Sequence, residues 1–396
     1  MTRLAPIVAP YAIVLAVIAI AAERGEAHRP VASPYTYNED VFPILRDRCG
    51  PCHVAGGVAP MSLMTFKDAF PFAESIHREL VAGHMPPWSV DDAAGRFKNA
   101  QALSARELNI LVTWAVGGNP MGNAERTPPP VELQRVWHLG PPDLVVQMPS
   151  EFTITADTNE ATQEFTLPIP TFEARLLRAV DLMPGNAVIV RSATVRVKDS
   201  PAGAMAEGVL AMWVPGDVPV PFDEGTALRL PQGAELVLRV RYQKTWQYVR
   251  SAMTDRTSLG LYFATAPARE VRALTLTPER GVAANLERRL SFSRIVDEDV
   301  EAVAIYPDPA LENWNVDVRA LRPDGSRAEL IQLRPRHPDW ARRYWFAKSV
   351  ALPRGTQIDV VATTRGALLA PGAAPSLAKG LDTSSLRLTL NVVPTR

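Results

Sequence analysis

The stretch "RDRCGPCH", residues 46–53, contains the two cysteines of a 396-residue chain. Cys49 and Cys52 are three residues apart, and His53 follows directly. Thiols at this spacing can each form a thioether to one haem, with the neighbouring histidine below the iron. A thioredoxin-like dithiol and half of a zinc site are the alternatives, but the adjacent histidine and the lack of further cysteines favour covalent haem.

Helical patterns surround this stretch. Residues 38–49, "NEDVFPILRDRC", have apolar side chains at helical spacing and lead directly into the cysteines. A second pattern, "FAESIHRELVAG", stops at Gly83. A third begins with a capping box of Ser104 and Glu107, continues with Leu108, Leu111, Val112 and Ala115 on one face, and ends at Gly117. We therefore predict a small all-α domain over residues 33–127.

The second axial ligand of the iron is expected in "AGHMPPW", residues 82–88. Met85 is the candidate, because the prolines after it restrict the chain. His84 is its rival, and Trp88 is expected to pack on the haem. Other methionines of this region are expected to fill the core, the usual role of this residue, namely Met61, Met64 and Met121.

The region resembles a class I cytochrome c. The resemblance rests on "YTYNEDVFPILRDRCGPCH", "APMSLMTFKDAF", "MPPW" and "LSARELNILVTWAVGGNP". It implies thioethers at Cys49 and Cys52, with His53 as proximal and Met85 as distal ligand of the iron. Such a saturated haem passes single electrons and has no open position for oxygen.

The N-terminus resembles an export signal. Arg3 precedes an uncharged stretch over residues 4–22, and small residues follow at plausible cleavage positions. Residues 1–27 are either a cleaved signal peptide or a retained membrane anchor. Either form implies a periplasmic protein, soluble or attached to the cytoplasmic membrane. Lys and Arg together equal Asp and Glu at 42 each, which argues against a nucleic-acid partner.

A proline-rich linker, residues 128–137, leads into a different pattern. Short strand-like runs bounded by Pro, Gly, Asp and Asn follow, such as "DLVVQM", "AELVLRVRYQ" and "TQIDVVATT". Their spacing predicts antiparallel β-sandwiches. We divide them into a first sandwich over residues 138–266 and a second over residues 267–396.

This β-rich part resembles the two-domain jelly-roll core of the copper type II, ascorbate-dependent monooxygenases, a family that includes peptidylglycine hydroxylating monooxygenase. The resemblance rests on stretches such as "LRAVDLMPGNAVIVRSATVRV", "LPQGAELVLRVRYQ" and "VRALRPDGSRAELIQLRPRHPDW". In the family, histidines bind one copper in each domain. Here the matching positions carry other residues: Arg191, Ser192, Arg241, Asp308 and Ala310.

The copper sites implied by the resemblance are therefore expected to be lost. His138 and His337 are the histidines of this part, and copper needs imidazole and sulfur donors. Arg191 and Arg241 are expected in one vacated pocket with Asp308 opposite. There they either fill space or bind a small anion, since paired guanidiniums suit carboxylate or phosphate.

These observations predict an exported monohaem cytochrome with a haem c and no copper, acting in electron transfer rather than as an enzyme. The β-rich part is expected to dock or scaffold it on other redox proteins or on a membrane electron-transfer complex. One alternative is a haem- and metal-dependent monooxygenase. The other is a small-anion-binding protein in which the haem is incidental.

Overall fold

The computed structural model describes residues 32–88, 90, 96–98, 100–170, 173–198, 208–278, 289–307, 314–334, 340–364 and 386–395. The molecule is mostly β, with 41% strand and 16% helix. The predicted fold class, a small all-α domain followed by two jelly-roll sandwiches, is wrong. The leader over residues 1–27, Asp308, Ala310 and His337 lie outside the described residues.

Short helices precede the strands. A continuous helical run consists of the π-helical pieces Tyr37–Val41 and Leu45–Cys49 on either side of α1 (Phe42–Ile44). The next helices are α2 (Phe66–Ala69), α3 (Ala73–Val81) and α4 (Ala105–Val116), and short 3₁₀ turns lie at Phe70–Phe72, Ala124–Arg126 and Trp246–Tyr248.

The capping box predicted for α4 is confirmed. The Ser104 hydroxyl accepts from the Glu107 amide, and the Glu107 carboxylate accepts from the Ser104 amide. The predicted buried face is only partly right. Leu111 and Ala115 are buried, but Leu108 is exposed, and Trp114 is buried in its stead, donating from its indole nitrogen to Pro120.

The helical region is not a separate all-α domain, because the chain between α3 and α4 joins the β-rich part. Phe97 forms a β-bridge with Phe346, and Val90 forms one with Leu333. The amide of Lys98 donates to the Trp345 carbonyl at 2.8 Å. Helical periodicity is a local signal and gave no indication of these long-range pairings.

The described strands follow the linker. They are β1 (Leu144–Gln147), β2 (Phe152–Ile154), β3 (Glu160–Pro168), β4 (Arg175–Met183), β5 (Val190–Val197), β6 (Val209–Trp213), β7 (Thr226–Leu230), β8 (Glu235–Gln243), β9 (Met253–Asp255), β10 (Ser258–Phe263), β11 (Arg269–Glu270), β12 (Arg272–Leu276), β13 (Arg289–Ile295), β14 (Val300–Pro307), β15 (Trp314–Leu321), β16 (Arg327–Leu333), β17 (Tyr344–Leu352), β18 (Gln357–Thr364) and β19 (Leu388–Pro394).

Four larger sheets and a small one contain these strands. Their orders are β1-β10-β4-β7-β11, β3-β8-β5-β6, β12-β19-β14-β17, β13-β18-β15-β16 and β2-β9. The described pairings are antiparallel except that of β11 with β7. The larger sheets form a four-bladed, propeller-like arrangement, which replaces the predicted pair of jelly rolls. Short alternating strands fit sandwiches, barrels and propellers alike, so the sequence pattern could not choose among them.

Two hydrophobic cores lie among the larger sheets. Leu182, Val195, Leu238 and Leu261 belong to the core between the first two sheets. Ile305, Val318, Val360 and Leu390 belong to the core between the other two. A third core lies among the helices around Tyr37 and Trp114. Among the described residues, no helix is long and apolar enough to span a bilayer.

Candidate haem-binding site

The Cys-x-x-Cys-His loop turns tightly at the end of the first helical run. The amides of Cys52 and His53 both donate to the Cys49 carbonyl, at 3.1 and 2.8 Å. Gly50 is required here, because a Cβ at this position would collide with the Arg46 carbonyl oxygen. This close turn brings both thiols and the imidazole to the wall of one cavity.

The His53 ring is held by a backbone carbonyl of the loop that follows it. Its Nδ1 lies 3.2 Å from the Met61 carbonyl, to which the Nδ1 proton donates in the corresponding tautomer. That tautomer leaves Nε2 as the nitrogen able to bind a metal. Burial lowers the pKa of His53, which favours the neutral imidazole that metals require.

A cavity of about 570 Å³ lies beside this loop. Its volume is typical of cofactor pockets, which measure roughly 300–1,000 Å³. Candidate donors line it, namely Cys49, Cys52, His53, Met61 and Met85. Much of the remaining wall is apolar and comes from Leu45, Val58, Leu63, Ile76, Leu80 and Leu111.

Neither thiol forms a disulfide, and both cysteines are partly buried. Burial raises the pKa of Cys49 and of Cys52 to about 12. A catalytic dithiol needs the opposite shift, since the thiolate is the nucleophile. The environment therefore disfavours the thioredoxin-like alternative. Among the described residues, no three His, Cys, Asp or Glu side chains are grouped to hold a metal ion.

The candidates for the second axial ligand lie in different surroundings. Met85 lines the cavity and is 37% exposed, so the cavity opens to solvent near it. His84 is not among the residues that line the cavity, and its Nδ1 lies 2.9 Å from the exposed carboxylate of Glu79. Met61 also lines the cavity, but its own carbonyl oxygen contacts Nδ1 of His53, so Met61 belongs to the loop that orients this imidazole. Met85 comes from a separate segment and remains the best candidate.

Trp88 does not line this cavity. Its ring packs edge-on against Tyr344 at 5.3 Å and lies near Phe97 at 6.5 Å between centroids. The guanidinium carbon of Arg342 is 5.5 Å from the Trp88 ring centroid. The structure thus places Trp88 against the core of the β-rich part rather than at the predicted haem surface.

The β-rich part supplies a second wall, which sequence reasoning missed. Pro215, Gly216, Asp217, Arg191 and Trp340 all line the cavity. The Cys52 thiol donates to the Pro215 carbonyl at 3.6 Å. Gly216 has φ +83°, and a Cβ there would lie 2.9 Å from the Cβ of Pro51. No local signal indicates this contact, because the two loops are far apart in sequence.

A buried ion pair joins three parts of the chain beside the cavity. Nη1 of Arg342 lies 3.2 Å from Oδ1 of Asp217 and donates to the Gln101 side-chain oxygen at 2.9 Å. The Gln101 amide group donates to the Gly216 carbonyl at 3.1 Å. Burial raises the pKa of Asp217, and the nearby charge of Arg342 opposes that shift.

Arg191 and Arg241, which the sequence analysis placed in one pocket, do not share one, so that expectation is wrong. Arg191 lines the cavity beside the cysteine loop and donates from Nη1 to the Val58 carbonyl at 2.6 Å. Arg241 forms an ion pair with Glu160 at 3.5 Å, across β3 and β8. His138 contacts the buried carboxylate of Asp181 at 3.2 Å.

Comparisons with known proteins add little. No family model and no curated protein matches the chain. A xanthan lyase from Paenibacillus is 10% identical, with a TM-score of 0.16, and the match covers 65% of this chain and 26% of that one. The exported protein XepA of PBSX is 10% identical, with a TM-score of 0.18, and the match covers 61% and 92%.

The tandem CBM22 domains of Xyn10C from Paenibacillus barcinonensis are 9% identical, with a TM-score of 0.15 and coverage of 62% and 97%. Likenesses at these scores carry no argument about fold or activity. The interpretation of the candidate site therefore depends on the residues that line the cavity alone.

Proposed function

We propose that the chain is an exported monohaem c-type cytochrome that transfers electrons. The haem would be attached through Cys49 and Cys52, with His53 and Met85 as axial ligands. One observation carries the proposal: a single cavity is lined by both thiols, the oriented imidazole and a thioether. This donor set suits covalent haem with Met/His ligation.

The residues that line the cavity would have different roles at such a site. A bound haem would supply a reversible one-electron couple. The Met61 carbonyl orients His53, and the neutral imidazole keeps its lone pair on Nε2 for the iron. The apolar wall limits water, which favours the less charged redox state. Two axial side chains would leave no position for oxygen, so electron transfer is favoured over oxygen chemistry.

Covalent attachment is the first test. The purified, exported protein should carry one haem that survives denaturation, detected by intact mass and by the pyridine haemochrome spectrum. Because Cys49 and Cys52 are the cysteines of the chain, the double variant Cys49→Ser/Cys52→Ser should lose the attached mass completely. A wild-type protein exported with the haem-attachment machinery but lacking this mass would contradict the proposal.

The axial ligand is the second test. Met85→Ala should abolish the weak sulfur-to-iron absorption band in the red part of the oxidised spectrum and open the iron to carbon monoxide. Met121→Ala is the matched control, since Met121 is exposed and does not line the cavity. If the band survives in Met85→Ala and disappears in Met61→Ala, the assignment of Met85 is wrong.

We infer a docking or scaffolding role for the β-rich part, on other redox proteins or on a membrane electron-transfer complex. Arg191, Ser192 and Arg241 occupy positions where the resembled monooxygenases have copper ligands, which supports a role without copper. Metal analysis should find one iron and no chelator-resistant copper, and the protein should not hydroxylate substrates with ascorbate. One equivalent of retained copper would instead support the oxygenase alternative.

A further inference from the structure

We propose that Arg191, a residue of the β-rich part, is a positioning residue that raises the reduction potential of the haem. The inference rests on the proposed function, because it concerns the cofactor of that site. It assigns to the β-rich part an electrostatic effect on the redox centre in addition to docking.

A β-bulge directs Arg191 toward the helical region. In the pairing of β5 with β8, Val190 faces Tyr242 and Ser192 faces Arg241, so the register shifts at Arg191. A bulge of this kind leaves one extra residue and re-aims its side chain. The guanidinium reaches the Val58 carbonyl at 2.6 Å, five residues beyond His53 in the sequence.

This hydrogen bond places a permanent positive charge in the wall of the candidate haem cavity. Arg191, Cys52 and His53 line the same cavity. A guanidinium stays protonated at every accessible pH.

A fixed positive charge acts differently on the two redox states. The ferric centre carries one more positive charge than the ferrous centre, so a nearby cation destabilises the oxidised state. The low dielectric of a buried site strengthens this effect. Charge and burial are both recognised determinants of haem potential. Arg191 should therefore favour the reduced state and raise the midpoint potential.

The test compares midpoint potentials in the full-length, haem-loaded protein by optical titration with redox mediators. Arg191→Gln should shift the potential to a more negative value, while Arg191→Lys, which retains the charge, should stay close to wild type. Arg241→Gln is the matched control, because Arg241 lies in the neighbouring register position of the same sheet and does not line the cavity. It should leave the potential unchanged.

Each outcome has a definite meaning. If Arg191→Gln retains the haem and has the wild-type potential, the inference is overturned and the proposed function stands. If Arg191→Lys shifts as far as Arg191→Gln, the charge is not the cause and the inference also fails. Should Arg191→Gln not fold, Arg191→Met keeps more of the apolar stem and must show the same negative shift. If wild type carries no covalent haem, the proposed function and this inference fall together.

Discussion

Removing the carboxylate of Asp217 should destabilise the protein strongly. Its partner Arg342 is 1% exposed and would keep a buried positive charge without a counter-ion. Breaking a buried pair on one side costs about 3–5 kcal/mol. Arg342 retains its hydrogen bond to Gln101 and its position over Trp88, so we expect Asp217→Asn to cost about 3 kcal/mol, at the lower end.

Replacing the other partner of this pair, Arg342, should destabilise the protein by an amount that depends on pH. In Arg342→Met the carboxylate of Asp217 loses the charge that opposes its burial, so its pKa rises further. The folded state then binds the proton more tightly than the unfolded state. Lowering the pH through the raised pKa therefore restores stability, and the cost of Arg342→Met is largest above that pKa.

The assay is urea unfolding of the wild type and the variants, all purified in the same way. The double variant Arg342→Met/Asp217→Asn should cost less than the sum of the single variants, with a coupling of about 2 kcal/mol. Glu160→Gln is a matched control, because its pair with Arg241 is partly exposed and should be worth about 1 kcal/mol or less. A cost below about 1 kcal/mol for Asp217→Asn, or additive costs, would refute the reasoning.

Three further outcomes are expected. Ser104→Ala removes the cap of α4 and should cost about 1 kcal/mol in urea unfolding, and Ser104→Gly less; equal losses would argue against the cap. Gly216→Ala should lower the melting temperature, because it combines backbone strain at positive φ with a Cβ only 2.9 Å from Pro51. Gly233→Ala adds backbone strain alone, since no atom lies near its Cβ, and should lower the melting temperature less. The hydrogen bond that the His138 ring donates to the Asp181 carboxylate raises the pKa of His138. This pair therefore stabilises the fold at low pH and loses that contribution as pH rises from about 6.5 through the raised pKa. Asp181→Asn should flatten this part of the pH–stability profile, and an unchanged slope would contradict the reasoning.

Local signals in the sequence predicted the local features of the structure. The end of the first helical run at Cys49, the capping box of α4 and the strand content after the linker all depend on neighbours a few residues apart. The Cys-x-x-Cys-His spacing predicts covalent haem attachment, and both thiols and His53 line one cavity. Short-range periodicity and turn chemistry are sufficient for such features.

The arrangement of the sheets was decided by tertiary structure. Strand-like patterns indicate which side chains are buried, but not which strands become neighbours. The propeller-like arrangement and the bridge between Phe97 and Phe346 both depend on contacts between distant segments. The same limit explains why the position of Trp88 was not predicted. Its ring packs against Tyr344 of the β-rich part and does not line the candidate haem cavity.

The sequence by itself determined the chemistry of one wall of the site: two thiols, an imidazole and a methionine at spacings that suit covalent haem. Only the tertiary structure decided the opposite wall, where Arg191, Gly216 and Asp217 meet the cysteine loop. The physical reason is that a bulge in β5 and a tight loop after β6 aim these residues at a segment more than a hundred positions away. Burial, charge and close backbone contact at this wall arise from packing, which no short stretch of sequence encodes.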